Sequence, residues 1–82
     1  MNALQRKILA IMLVEEKISS IDIIYKLEAQ EETASIHKVH YELAELFHKK
    51  YVSFYEVEEP QRMRRYYSIT EAGRGALNEL DI

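Results

Sequence analysis

The sequence predicts one small α+β domain that is mainly α: three helices, a two-stranded β-hairpin and a C-terminal helix. Three observations carry this. Apolar residues recur at helical spacing through the first fifty positions, broken only by short polar turns. Two aromatic and β-branched runs follow, Tyr51–Val57 and Tyr66–Thr70, and both read as strands. Between them, Glu58 to Arg65 holds the only proline, Pro60, which belongs at a turn or sheet edge because it has no N–H to donate. An isolated hairpin is marginal in water, so the helices must supply its platform.

Residues 2–16 form the first helix. Leu4, Ile8, Ile11 and Met12 mark its core face, while Leu9, Ala10, Leu13 and Val14 carry the apolar surface nearly all the way round. One small domain seldom covers such a helix, so a second copy of the chain is expected to do so, through Leu9, Leu13, Val14, Leu77 and Leu80. The alternative is a central helix wrapped by its own chain. Lys17 and Ile18 make a short connection or a brief strand. Ser19 and Ser20 offer caps for a second helix to about Ala29, with Asp22 in the first turn and Ile21, Ile24 and Leu27 inward. Gln30 to Glu32 turn the chain. Thr33 or Ser35 then caps a third helix, about residues 34–49, whose buried stripe is Ile36, Val39, Leu43, Leu46 and Phe47. After the hairpin, Thr70 caps the last helix, with Ala72, Ala76, Leu77 and Leu80 as its apolar seam.

Composition narrows the function. No cysteine is present, so disulfides and thiolate metal sites are excluded. His37 and His40 sit three apart on one helix but lack the third and fourth ligands a zinc site needs. Both glycines, Gly73 and Gly75, fall in the last helix, so there is no phosphate-cradling loop, and no nucleophile–base spacing stands out. Neither an enzyme, a metal nor a cofactor is expected. The longest apolar run, Ile8–Val14, is too short to cross a bilayer, and the N-terminus lacks a signal-peptide pattern; a cytoplasmic protein is expected. The net charge is −3, yet residues 33–67 hold six basic side chains against five acidic ones, so any basic face is local.

Two short helices joined by a turn and followed by a basic hairpin make the layout of a winged helix-turn-helix. In that layout the third helix enters a major groove and the wing, about residues 57–65, reaches phosphates or the adjacent minor groove. Ser35, His37, Lys38, Tyr41 and Glu42 are the groove-facing candidates; Arg62, Arg64 and Arg65 are the wing candidates, since guanidinium groups fork onto phosphate oxygens.

The run Arg64-Arg65-Tyr66-Tyr67-Ser68-Ile69-Thr70-Glu71-Ala72-Gly73 resembles the R-R-Y-Y-x-L-T-x-x-G segment of PadR-type transcriptional regulators. Leu43 to Val52 sits where that family has L-x-x-L-x-x-x-G-L-V. The similarity spans roughly residues 4–80, and its specific part is the wing-to-helix segment. It implies a homodimeric repressor that binds double-stranded DNA. Three departures stand out. Lys50 replaces the glycine expected past the third helix, Ser19 to Asp22 replace the family's H-G-Y-E, and the chain stops one helix after the wing. These fit a small stand-alone domain and leave effector sensing and dimer geometry open. The competing expectation is a winged helix that binds protein rather than DNA, favoured by the acidic net charge and by Glu42 and Glu45.

Overall fold

The computed structural model describes residues 1–79. Its elements are α1 (Ala3–Val14), β1 (Ile18–Ser19), α2 (Ser20–Ala29), α3 (Ile36–His48), β2 (Val52–Glu59), β3 (Arg62–Ile69) and α4 (Glu71–Glu79). Every expected element is present, and of the two readings of the stretch after α1 the brief strand holds, one residue further on. Ile18 and Ser19 form a strand that pairs antiparallel with β3, Ile18 opposite Tyr67 and Ser19 opposite Tyr66, so the sheet has three strands in the order β1-β3-β2. The expected two-stranded wing is therefore tied to the helices through its second strand.

Each helix starts where a side chain can take up a free N–H. Asn2 Oδ1 accepts from Gln5 N at 2.8 Å, and the Gln5 side chain accepts in turn from Asn2 N, a reciprocal capping box. Ser19 caps α2 through Asp22 N, and of the two candidates for α3 it is Ser35 that caps, through Lys38 N at 3.1 Å. Two helices end alike. After α2, Glu31 takes φ 62°, with Glu32 N donating to Leu27 O. After α3, Lys50 takes φ 65°, with Tyr51 N donating to Leu46 O at 2.9 Å and Lys50 N to Phe47 O. Both are Schellman closures built without glycine. The sequence departure at Lys50 is thus absorbed by left-handed backbone, the conformation that a side chain disfavours.

The core is Ile8, Leu9, Ile11, Met12, Ile18, Ile23, Leu27, Val39, Leu43, Leu46, Val52, Tyr67 and Leu77. Several expectations are corrected here. Leu9 is wholly inaccessible and Leu77 nearly so, both within this chain, so neither is free to face a second copy. Leu13 and Val14 are exposed, Val14 at 83%, and Leu80 lies outside the described residues. In α2 the buried stripe runs through Ile23 and Leu27, which leaves Ile21 at its edge. Ile36, the first residue of α3, is exposed, and so is Phe47 in large part. In α4, Gly73 rather than Ala72 packs inward. A Cβ at Gly73 would overlap the Tyr51 carbonyl oxygen and sit 2.8 Å from Ile69 Cγ1, so only glycine lets α4 approach this turn. Thr70 fastens the same junction: its hydroxyl donates to Lys50 O at 2.7 Å and accepts from Gly73 N at 3.0 Å.

Candidate nucleic-acid interface

The wing is longer and more regular than expected. Its ladder continues past Val57 through Glu58–Met63 to Glu59–Arg62, so the arginines lie on a strand, and only Pro60 and Gln61 remain as turn. No residue of that turn has positive φ, which suits proline at its first corner. Opposite charges facing each other across the ladder favour its extension. Glu56 faces Arg65 and Glu59 faces Arg62.

Strand alternation sorts the wing residues into two faces. Val52, Phe54 and Glu56 share one face with Ile69, Tyr67 and Arg65, the face turned to the helices. Tyr55 and Tyr66 stack at 5.7 Å on the other, beside Arg64. Lys17 reaches the Tyr55 ring at 5.7 Å. Hydrogen bonding to the Tyr55 phenol holds its ammonium proton above the ordinary lysine range. Arg64 Nε lies 3.0 Å from Glu59, and Arg65 lies 3.6 Å from Glu56. Arg65 also covers the Phe54 ring at 4.2 Å. Hydrogen bonding to Tyr67, outweighing burial, raises it above the ordinary guanidinium value. Two of the three wing arginines thus already have carboxylate partners within the hairpin; Arg62 has none within ion-pair distance among the described residues.

On α3, Ser35, His37, Lys38 and Tyr41 all stand exposed. Lys38 lies over the Tyr41 ring at 5.6 Å. Glu42 does not join them. It falls on the Val39–Leu43–Leu46 stripe and is 1% exposed, so the groove-facing role expected for it is corrected. Its carboxylate accepts from the side-chain amides of Asn2 and Gln5, the two residues of the α1 capping box, and sits 3.9 Å from Lys38 Nζ. Each capping side chain therefore uses its oxygen on α1 and its nitrogen on α3. A carboxylate taken out of water must be hydrogen-bonded, and here the capping box supplies the donors.

Sequence reasoning missed the cleft between α3 and the wing. It measures about 330 Å³ and is lined by His40, Ala44, Phe47, His48, Phe54, Arg65 and Tyr67, among others. Phe47 packs at a 51° tilt on Phe54 with ring centroids 4.9 Å apart, and His40 Nε2 lies 3.0 Å from Ser20 Oγ. The signal was available: positions 40, 44 and 48 recur every four residues and share one side of a helix.

Two helices joined by a turn, then a hairpin locked to them by a third strand, define a winged helix-turn-helix protein. Neither protein-family models nor characterised proteins match the sequence. Solved structures do. Bacillus subtilis PadR in complex with operator DNA superposes with a TM-score of 0.87 at 21% identity, over 100% of this chain and 48% of that one. A PadR-like transcription factor from Bacteroides fragilis gives 0.87 at 28% identity, over 95% of this chain and 76% of that one. A PadR family regulator from Clostridium difficile gives 0.84 at 16%, over 98% and 84%. More particularly, then, the chain is a PadR-like winged-helix protein, spanning about half the length of the Bacillus subtilis protein. Among the described residues no helix is long and apolar enough to cross a membrane.

Proposed function

We propose that the chain is a homodimeric regulator of transcription, acting as a repressor, that binds double-stranded DNA with α3 in the major groove and the wing on phosphates or the adjacent minor groove. One observation carries the reading. The exposed face of α3, with Ser35, His37, Lys38 and Tyr41, stands beside an arginine-bearing wing in a fold shared with a PadR held on operator DNA. In the complex, Lys38 and Tyr41 read or flank base edges, and Arg62, Arg64 and Arg65 contact backbone. Leu13, in a groove that also holds Ala3, Arg6, Lys7 and Ala10, and the neighbouring exposed Val14 offer the surface for a second copy.

The test is a binding isotherm against salt. If each protomer neutralises roughly four phosphates, log K falls with log salt at a slope near −7. Selection of duplexes from a random pool should enrich an inverted repeat with half-sites about 34–36 Å apart. Affinity indifferent to salt, or a monomer by light scattering, would sink the dimeric DNA-binding reading.

A second reading, a protein-binding winged helix, has its own support. The net charge is −3, and the wing carries three glutamates beside its three arginines, so its field is weak. Absence of a gel shift with random duplex at micromolar protein and low salt would favour it.

A further inference from the structure

If α3 occupies a major groove and the wing reaches the next minor groove, one sugar–phosphate strand must pass between them, because a single strand separates adjacent grooves. The space it would cross is the cleft between α3 and the hairpin. From the helix come His40 and His48, two turns apart on the same side, with Ala44 between them leaving room; from the wing comes Arg65. The floor is Leu43, Phe47, Phe54 and Tyr67. Three groups able to carry positive charge over an aromatic floor suit a phosphodiester, whose charge lies on its outer oxygens.

We infer that this cleft seats a backbone phosphate of the bound duplex, held by Arg65 together with protonated His40 and His48, so that DNA binding takes up protons. The inference rests on the DNA-binding reading above and deepens it. The groups around the two imidazoles fix the sign. Ser20 of α2 hydrogen-bonds His40; β3 contributes Arg65 and Tyr67, and β2 contributes Glu56 paired with Arg65. On α3 itself the neighbours one turn away are His37 and Glu45, with Lys49 following His48. A phosphate entering the cleft competes with Glu56 for Arg65 and stands beside the imidazoles, where an anion favours their charged form. Histidine is the side chain that ordinarily changes charge between pH 5 and 8, which sets the range to test. The protonated form is favoured in the complex. The gain in affinity is therefore present at low pH and is lost as pH rises.

The experiment is fluorescence anisotropy of the full chain with a labelled random duplex, at fixed ionic strength, from about pH 6 to about pH 8. Affinity should fall by roughly tenfold per pH unit where one proton is linked, up to about a hundredfold across that span. The His40→Gln, His48→Gln double variant should lose the gain at low pH, keeping only the weaker affinity. Arg65→Gln should weaken binding at both ends and reduce the salt slope by about one per protomer. Binding that is present but flat with pH overturns the inference and leaves the DNA reading standing. No binding at any pH in low salt overturns the reading beneath it. A double variant that keeps the parent slope overturns the inference. So does a His37→Gln variant that alone abolishes it, since the proton would then belong to the outward face of α3.

Discussion

The outward face of α3 and the wing differ in how their charge is held. The helix presents Ser35, His37, Lys38 and Tyr41 to solvent; of its two acids, Glu45 is half-buried and Glu42 is withdrawn beneath the helix on amide donors from α1. The wing puts its acids beside its bases on the same ladder, Glu56 against Arg65 and Glu59 against Arg64. Lys38 keeps only a long 3.9 Å contact with the buried Glu42, whereas Arg64 and Arg65 must give up closer carboxylates at 3.0 and 3.6 Å before they can take another partner. On the proposed DNA-binding reading, the difference would give discrimination to the helix and a restrained, salt-sensitive grip to the wing. It also shows where a chain of net charge −3 keeps its basic side chains exposed.

The comparison can be broken most severely at the wing. Replacing Arg62, Arg64 and Arg65 by alanine should weaken binding to every duplex alike, on the order of a thousandfold near 0.15 M salt for a dimer, and flatten the salt slope. If affinity for a selected site and for random duplex fell by different factors, the wing would be reading sequence and the contrast would fail. Next comes the helix. Lys38→Ala should lower the preference for the selected site over random duplex by about 1–3 kcal/mol if Lys38 reaches a base edge. A loss shared equally by both duplexes would move Lys38 to the backbone.

A smaller effect tests the joint between the two regions. Lys50→Gly, at the left-handed turn from α3 into β2, should raise unfolding free energy by about 1 kcal/mol, read from urea melts, because glycine adopts that conformation without strain. An unchanged midpoint would mean that the turn stores no strain. The smallest effect should come from removing the wing's own acids. Glu56→Gln with Glu59→Gln should tighten binding by a few tenths to about 1 kcal/mol, the worth of exposed ion pairs. Weaker binding would show that the pairs hold the wing in shape instead of restraining it.

Much of this was legible in the sequence because it is written in local chemistry. Ser19, Ser35 and Thr70 announce helix starts, and Pro60 between two aromatic runs announces a hairpin. The glycine missing at position 50 announces a left-handed lysine. What escaped depends on partners far away along the chain. The brief strand at Ile18–Ser19 could be suspected, but its pairing with β3, which makes the sheet three-stranded, could not, because two residues carry no periodicity. Leu9 looked like surplus apolar surface until the other elements closed over it. Of the wing arginines the sequence yields their number but not their pairing, which needs the register. Glu42 differs for another reason: a carboxylate beside Lys38 and Tyr41 reads as solvent-facing, and its burial depends on Asn2 and Gln5, far away along the chain, meeting it.

That meeting has a chemical consequence. The Asn2 amide touches Glu42 through its nitrogen and caps α1 through its oxygen. Hydrolysis of this one amide would replace the donor by a carboxylate oxygen and set two negative charges against each other, one of them buried on α3. A slow ageing reaction at the second residue of the chain would thus loosen the helix proposed to read DNA while leaving every residue of its outward face intact.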